Sequence, residues 1–200
     1  MKKTALNIAK IRKQTGETFT RSQALSAGMT KYRLYRLLDE GFLIPLGVGV
    51  YRWSEAEPID LNLVEIAQRC PQATLCLETA LARHNLTDQI PSHIDIAVPR
   101  ESSRIRFQSP VQLHYFDQKT FDLGRTSISI GDGKKIGLYT PERSIIDVVR
   151  LRHDHGKELA WDALRRWLKK RGSSPAKLIR LAEKIHGTEK ALRAALEVLY

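Results

Sequence analysis

Apolar residues in the first 53 positions recur first at helical and then at strand spacing. Ala5, Ile8, Ala9 and Ile11 form a stripe from Thr4 to Gln14, with Lys10, Arg12 and Lys13 off it, and Gly16 ends that helix. Thr20 and Gln23 stand at capping-box spacing, so a short helix is predicted from Arg21 to Ser26 or Ala27, with Gly28 at its left-handed stop. Thr30 is the next N-cap, with Met29 and Leu34 at hydrophobic-staple positions, and a third helix is predicted over Lys31–Glu40. At about 100° per residue, Leu34, Leu37 and Leu38 share one face of that helix. Tyr32 and Arg36 point the opposite way, and Arg33 and Tyr35 lie on the flanks. Phe42–Leu46 and Val50–Trp53 then read as two strands around a glycine-flanked turn, Gly47-Val48-Gly49. Two short helices joined by a glycine turn and followed by a hairpin describe a winged helix-turn-helix over residues 1–53.

Glu55-Ala56-Glu57-Pro58 breaks the pattern, so a linker is placed at 54–59 and a second domain at 60–200. Asp60 caps a helix running to Arg69, and another follows near Glu78–His84. Between His93 and Tyr139 the spacing turns to short alternating runs: Ile94–Val98, Val111–Tyr115, Ser127–Ile130 and Ile136–Tyr139. These predict a small, mostly antiparallel sheet. Helices then follow from Thr140-Pro141 to about His153 and over Lys157–Arg171, Pro175–His186 capped by Ser174, and Glu189–Leu199 capped by Thr188. The class is α+β: a winged helix-turn-helix, then a domain with a small sheet flanked by helices and a helical tail.

Charge changes this picture. The chain has 200 residues and a net charge of +11. Residues 1–53 hold ten Lys/Arg and three Asp/Glu, residues 54–156 twelve and fourteen, and residues 157–200 eleven and five. Two basic ends flanking a near-neutral middle point to a polyanion partner, nucleic acid being the commonest. On the third helix, Tyr32, Arg33, Tyr35 and Arg36 then become candidates for a major groove, where Arg grips guanine and Tyr hydroxyls reach phosphates. Arg21, Lys31 and Arg52 are the candidate phosphate contacts, Arg52 from the wing. In the tail, Trp161, Leu164, Trp167 and Leu168 share a core stripe. Arg165, Arg166, Lys169 and Lys170 lie off it as a second candidate DNA surface, together with Lys177, Arg180 and Lys184 on the next helix. The competing readings are a solvated basic face and a winged helix that docks on a protein.

The longest uncharged stretch, Gly41–Tyr51, is far short of the roughly 18–20 residues of a bilayer helix, so no membrane partner is expected. Lys10, Arg12 and Lys13 interrupt any secretory apolar region, and Cys70 and Cys76 read as small core residues in a reducing cytoplasm.

The residues also resemble a family. Phe19-Thr20, Ala24, Gly28, Leu37-Leu38, Gly41 and Gly49-Val50-Tyr51 resemble the N-terminal domain of the AbiEi antitoxins of type IV toxin–antitoxin pairs, linked to abortive phage infection. Leu77–Leu86, Ile90-Pro91, Ile94–Pro99 and Thr140–Asp147 are similar to that family's second domain. The chain departs from it at Val48, where the family's wing usually carries a basic residue, and at the bulkier Cys76-Leu77-Glu78. The resemblance implies an N-terminal domain that binds inverted repeats in the promoter of its own operon and represses it. It implies a second domain carrying antitoxin activity, and a nucleotidyltransferase-like toxin as genetic partner, with protection that needs no stable complex between them. One winged helix reads a short half-site, so two copies must cooperate on an inverted repeat, either preformed or assembled on the DNA, a monomer in solution being the expectation. A regulator with a ligand- or protein-sensing second domain and no toxin is the alternative.

The chemistry of an enzyme is not legible. Asp132-Gly133-Lys134, with Asp117 or Asp95, has the spacing of a metal-and-lysine nuclease site, but two glycines flank Asp132 in what reads as a hairpin tip. His153-x-His155 does not share a helix face. His93 and Asp95 share a strand face, which an ordinary polar sheet surface explains. No phosphate loop and no nucleophile elbow is present. The expectation is a protein with no catalytic residues, no metal and no cofactor.

Overall fold

A computed structural model describes residues 2–131 and 133–199, with side chains from residue 8 onward except those of 155 and 199. The chain forms two compact units, each discontinuous in sequence. The first comprises Met1–Pro71, Arg104–Ser109 and Ser129–Ile136; the second comprises Gln72–Ser103, Pro110–Ile128 and Gly137–Tyr200.

The first unit begins with α1 (Lys2–Thr15), β1 (Thr18–Thr20), α2 (Arg21–Ser26) and α3 (Lys31–Asp39), followed by the hairpin β2 (Leu43–Gly47) and β3 (Val50–Trp53). The strands pair antiparallel in the order β1-β3-β2. Local chemistry sets the helix boundaries. The Thr20 hydroxyl accepts from the Gln23 amide at 3.2 Å while the Gln23 side chain accepts from the Thr20 amide at 2.7 Å, so the predicted capping box is complete. Gly28 sits at φ +88°, which a side chain would resist. Thr30 caps α3 through the Arg33 amide, and Met29 and Leu34 are both buried at the staple. Ile11, Phe19, Ala24, Leu34, Leu37, Leu43, Tyr51 and Trp53 meet in one core. Each large side chain buried there contributes roughly 1.5–3 kcal/mol.

Helix α4 (Leu61–Arg69), capped by Asp60, completes this unit by packing on β1, β2 and β3. The segment from 54 to 60 is thus an internal connection of the first unit, and the first chain crossing between units falls after Pro71. The reason is the apolar face of α4: Leu63, Val64 and Ile66 are buried.

The second unit holds β4 (Thr74–Leu75), α5 (Leu77–Arg83), β5 (Ile94–Pro99), β6 (Val111–Phe116) and α6 (Gln118–Phe121). The hairpin strands β7 (Arg125–Gly131) and β8 (Lys134–Tyr139) join it to form a five-stranded sheet, order β6-β5-β4-β8-β7. The sheet is mixed, which corrects the expected mostly antiparallel arrangement. β4 runs antiparallel to β5, whereas β4–β8 and β5–β6 are parallel. The long connection 100–110 lets β6 re-enter in the direction of β5, and the two-residue β4 gives too short a period for sequence reading. Helices α7 (Pro141–Arg150), α8 (Arg152–His155), α9 (Lys157–Leu168), α10 (Pro175–Ala182) and α11 (Glu189–Leu199) follow. Leu164 and Trp167 of the predicted α9 stripe are buried and Trp161 and Leu168 partly so, within a core shared with Leu81, Tyr139, Ile145 and Val149. Thr140 and Ser174 cap as expected. Thr188 does not: its hydroxyl is buried without a hydrogen-bond partner.

Candidate nucleic-acid interface

The α3 helix divides its residues as the periodicity requires. Leu34 and Leu37 are buried, while Lys31, Tyr32, Tyr35 and Arg36 are exposed, Tyr32 to 76 % and Tyr35 to 48 %. Arg33 is half-buried on the flank. Tyrosines this open to solvent on a well-formed helix contribute little to the core and leave their hydroxyls available to a partner. Arg36 donates from Nε to Glu40 Oε1 at 2.7 Å, an exposed pair that raises the guanidinium pKa through that hydrogen bond. Such a pair is screened by salt and readily exchanged for another anion. The Arg21 guanidinium lies 5.9 Å from the Tyr35 ring centroid, so the first residue of α2 joins the same face. Arg33 and Arg36 also line, with Ile8, Leu37, Phe42 and Trp53, a hollow of about 410 Å³ beside the helix.

The wing is a tight hairpin whose turn carries Gly49 at φ +74° and an exposed Val48. The Arg21 amide donates to the Gly49 carbonyl at 2.8 Å, tying the turn to the start of α2. Arg52 is not a phosphate contact, contrary to the sequence-based expectation. It is 3 % exposed and donates to Thr18 Oγ1 and to the Glu57 carbonyl, both at 2.7 Å. The cause is the position of β3 at the centre of its sheet. One face of β3 meets the aromatic core, and α4 packs on the strand as well, so all four residues of β3 are buried.

The tail candidates lie in the second unit. Arg165 pairs with Asp162 at 3.0 Å, Arg166 forms an ion pair with Asp88, and the Lys170 ammonium donates to the His84 carbonyl. Lys169 is exposed. Arg166 lowers the Asp88 carboxyl pKa, chiefly through their hydrogen bond. Arg166 and Lys170 therefore fasten α9 to the loop after α5, a role that the sign of the charge alone does not reveal. The structure brings Arg21, Lys31, Tyr32, Arg33, Tyr35 and Arg36 together in one unit and holds the four tail residues in the other.

Among the described residues no group of three or more His, Cys, Asp or Glu is placed to hold a metal. Asp132 lies outside the described residues, between β7 and β8. Asp117 is occupied in capping α6. Asp95 is buried rather than on a polar surface, and its Oδ1 is shared by His93 Nε2 at 3.1 Å and His114 Nε2 at 2.8 Å. His114 comes from the neighbouring strand, so spacing could not reveal it. Sequence reading also passed over Arg104 and Arg106, which belong to the first unit. The Arg-x-Arg pattern is visible, but it lies in a stretch whose charge averages to near neutral.

The order α1-β1-α2-α3-β2-β3, with a polar and basic exposed face on α3, defines a winged helix-turn-helix of the kind found in transcriptional regulators. Residues 8–52 match the family described as transcriptional regulator, AbiEi antitoxin. That match falls on the frame just described, so the N-terminal part of the chain is similar to AbiEi regulator domains. No curated protein matches the chain.

Proposed function

We propose that this chain is an AbiEi-type antitoxin that binds inverted repeats in the promoter of its own operon and represses it. The observation that carries this reading is the exposed face of α3, with Lys31, Tyr32, Arg33, Tyr35 and Arg36 presented on a winged helix-turn-helix and Arg21 beside them. Arg33 and Arg36 read base edges; Arg21, Lys31 and the tyrosine hydroxyls hold phosphates. Two copies, monomeric in solution, occupy the two half-sites. The second unit carries the antitoxin activity against a nucleotidyltransferase-like toxin encoded beside it, and the protein acts in the cytoplasm without catalysis or cofactor. Among the described residues no helix is long and apolar enough to cross a membrane.

The test is fluorescence anisotropy with the protein's own upstream DNA and a random duplex, across a salt series. Arg33→Ala/Arg36→Ala is expected to cut the preference for upstream over random DNA by about tenfold or more, since each bidentate base contact carries discrimination of that order. A wild type that binds neither duplex at low salt makes the winged helix a protein-docking surface. A double variant with unchanged preference removes α3 as the reader.

A further inference from the structure

The segment Arg104–Ser109 leaves the second unit between β5 and β6 and becomes part of the first. It is held there by one buried carboxylate. Glu65, in the middle of α4 and 1 % exposed, accepts from the Gln108 amide at 2.9 Å, the Ser109 amide at 3.0 Å and the Ser109 hydroxyl at 2.6 Å. The Arg69 guanidinium completes the clamp, 3.5 Å from Glu65 and 5.8 Å from the Phe107 ring centroid. Glu65 also lies so close to Gly47 at the end of β2 that a Cβ there would collide with its carboxylate. A single side chain thus fixes the segment to α4 and lies close against the end of the wing strand.

This clamp leaves Arg104 and Arg106 exposed on one wall of an open groove of about 660 Å³. Arg21 and the wing residues Val48 and Gly49 form another part of the lining. Four arginines line the groove (Arg21, Arg69, Arg104 and Arg106), and among the described residues none of its walls is acidic. The remaining polar lining is Ser22 together with Thr20 and Gln68, which are both hydrogen-bonded to Gln23. The groove is continuous with α3 through Arg21, which touches Tyr35.

Resting on the DNA-binding reading above, we propose that Arg104 and Arg106 form an arm that grips the DNA backbone beside the wing. The arm supplies the wing-side phosphate contacts that the exposed Val48 and the buried Arg52 cannot make. Its recognition is of phosphates, so it adds affinity without adding sequence preference. Glu65 is the positioning residue of the arm.

The full chain tests this in the same salt series, on upstream DNA and on a random 30-bp duplex, with thermal unfolding as the control for folding. Arg104→Ala/Arg106→Ala is expected to weaken binding to both duplexes by the same factor. It should make the log–log salt slope shallower by about 1.8, roughly 0.9 per lost phosphate contact. Arg104→Lys/Arg106→Lys is expected to keep the wild-type slope. Glu65→Gln leaves every arginine in place and removes a negative charge, so electrostatics alone would tighten binding; loss of positioning weakens it, which is the result expected. An Ala/Ala variant with wild-type slope and affinity overturns the arm while leaving α3 as the reader. An Ala/Ala variant that instead loses its preference for upstream DNA overturns the phosphate-only role. A wild type that binds neither duplex overturns the arm and the DNA-binding reading together.

Discussion

Arg52 and Arg143 are both arginines that the fold keeps from solvent. Arg52 joins β3 to β1 and to the chain after the wing through two short hydrogen bonds. Arg52→Met is therefore expected to lower unfolding stability by about 2–3 kcal/mol, since Thr18 and the Glu57 carbonyl lose a charged donor in a closed site. The salt slope of DNA binding should stay at the wild-type value, as measured by denaturant unfolding beside anisotropy. Arg143 lies in the first turn of α7. It pairs with Asp147 at 2.8 Å, donates to the carbonyls of Thr120 and Leu123, and lies 4.4 Å from the Tyr139 ring centroid. Burial pushes the Asp147 carboxyl pKa up while Arg143 and Arg150 pull it back, and burial also raises the Cys76 thiol. The Tyr139 hydroxyl, donating to the Phe121 carbonyl at 2.8 Å, is pushed above the ordinary tyrosine range by the same desolvation. A pKa raised in the folded state means that the folded form holds its proton more tightly. Its contribution is whole below the unfolded value of about 10 and is lost as pH rises beyond it. Phenolate absorbance should accordingly be equal in wild type and Tyr139→Phe until alkaline unfolding begins; an extra phenolate in the folded wild type would contradict this.

At the scale of elements, short-range chemistry was readable and pairing was not. The bounds of α2 and α3 follow from Thr20-x-x-Gln23, Gly28 and Thr30, because a cap needs only residues within one turn. Thr20→Ala removes the hydroxyl that caps the Gln23 amide while leaving the backbone N–H that donates to Gln23 Oε1. It is expected to cost about 1 kcal/mol of stability, measured by urea unfolding, and affinity for DNA should follow only as far as α2 frays. The exposed face of α3 was equally legible, since its three leucines fix which side must be buried. The two-residue β4, the parallel β5–β6 pair and the unmade cap at Thr188 were not. Each depends on a neighbour distant in sequence, and periodicity has no information about direction of pairing. The expected placement of Arg52 on the wing's outer side failed for the same reason: strand alternation assigns two faces but not what covers each.

At the scale of the whole molecule, the two compact units are woven from separate stretches of chain. The Arg104–Ser109 segment and the hairpin tip Ser129–Ile136 both belong to the unit built by the first 71 residues. The basic excess at the two ends of the sequence therefore does not map simply onto a basic surface. Part of the tail's charge is used in pairs with Asp162, Asp88 and the His84 carbonyl, whereas two arginines from the near-neutral middle stand in a groove with no acidic wall among the described residues. The sequence by itself determined the winged helix-turn-helix, its caps, the exposed face of α3 and the α+β class, because those rest on spacing within a few residues. Only the tertiary structure decided that Arg52 is interior, that Asp95 binds two histidines, and that Arg104 and Arg106 stand beside the wing. These follow from which surfaces bury one another, and burial is a property of pairs of segments that no local pattern encodes.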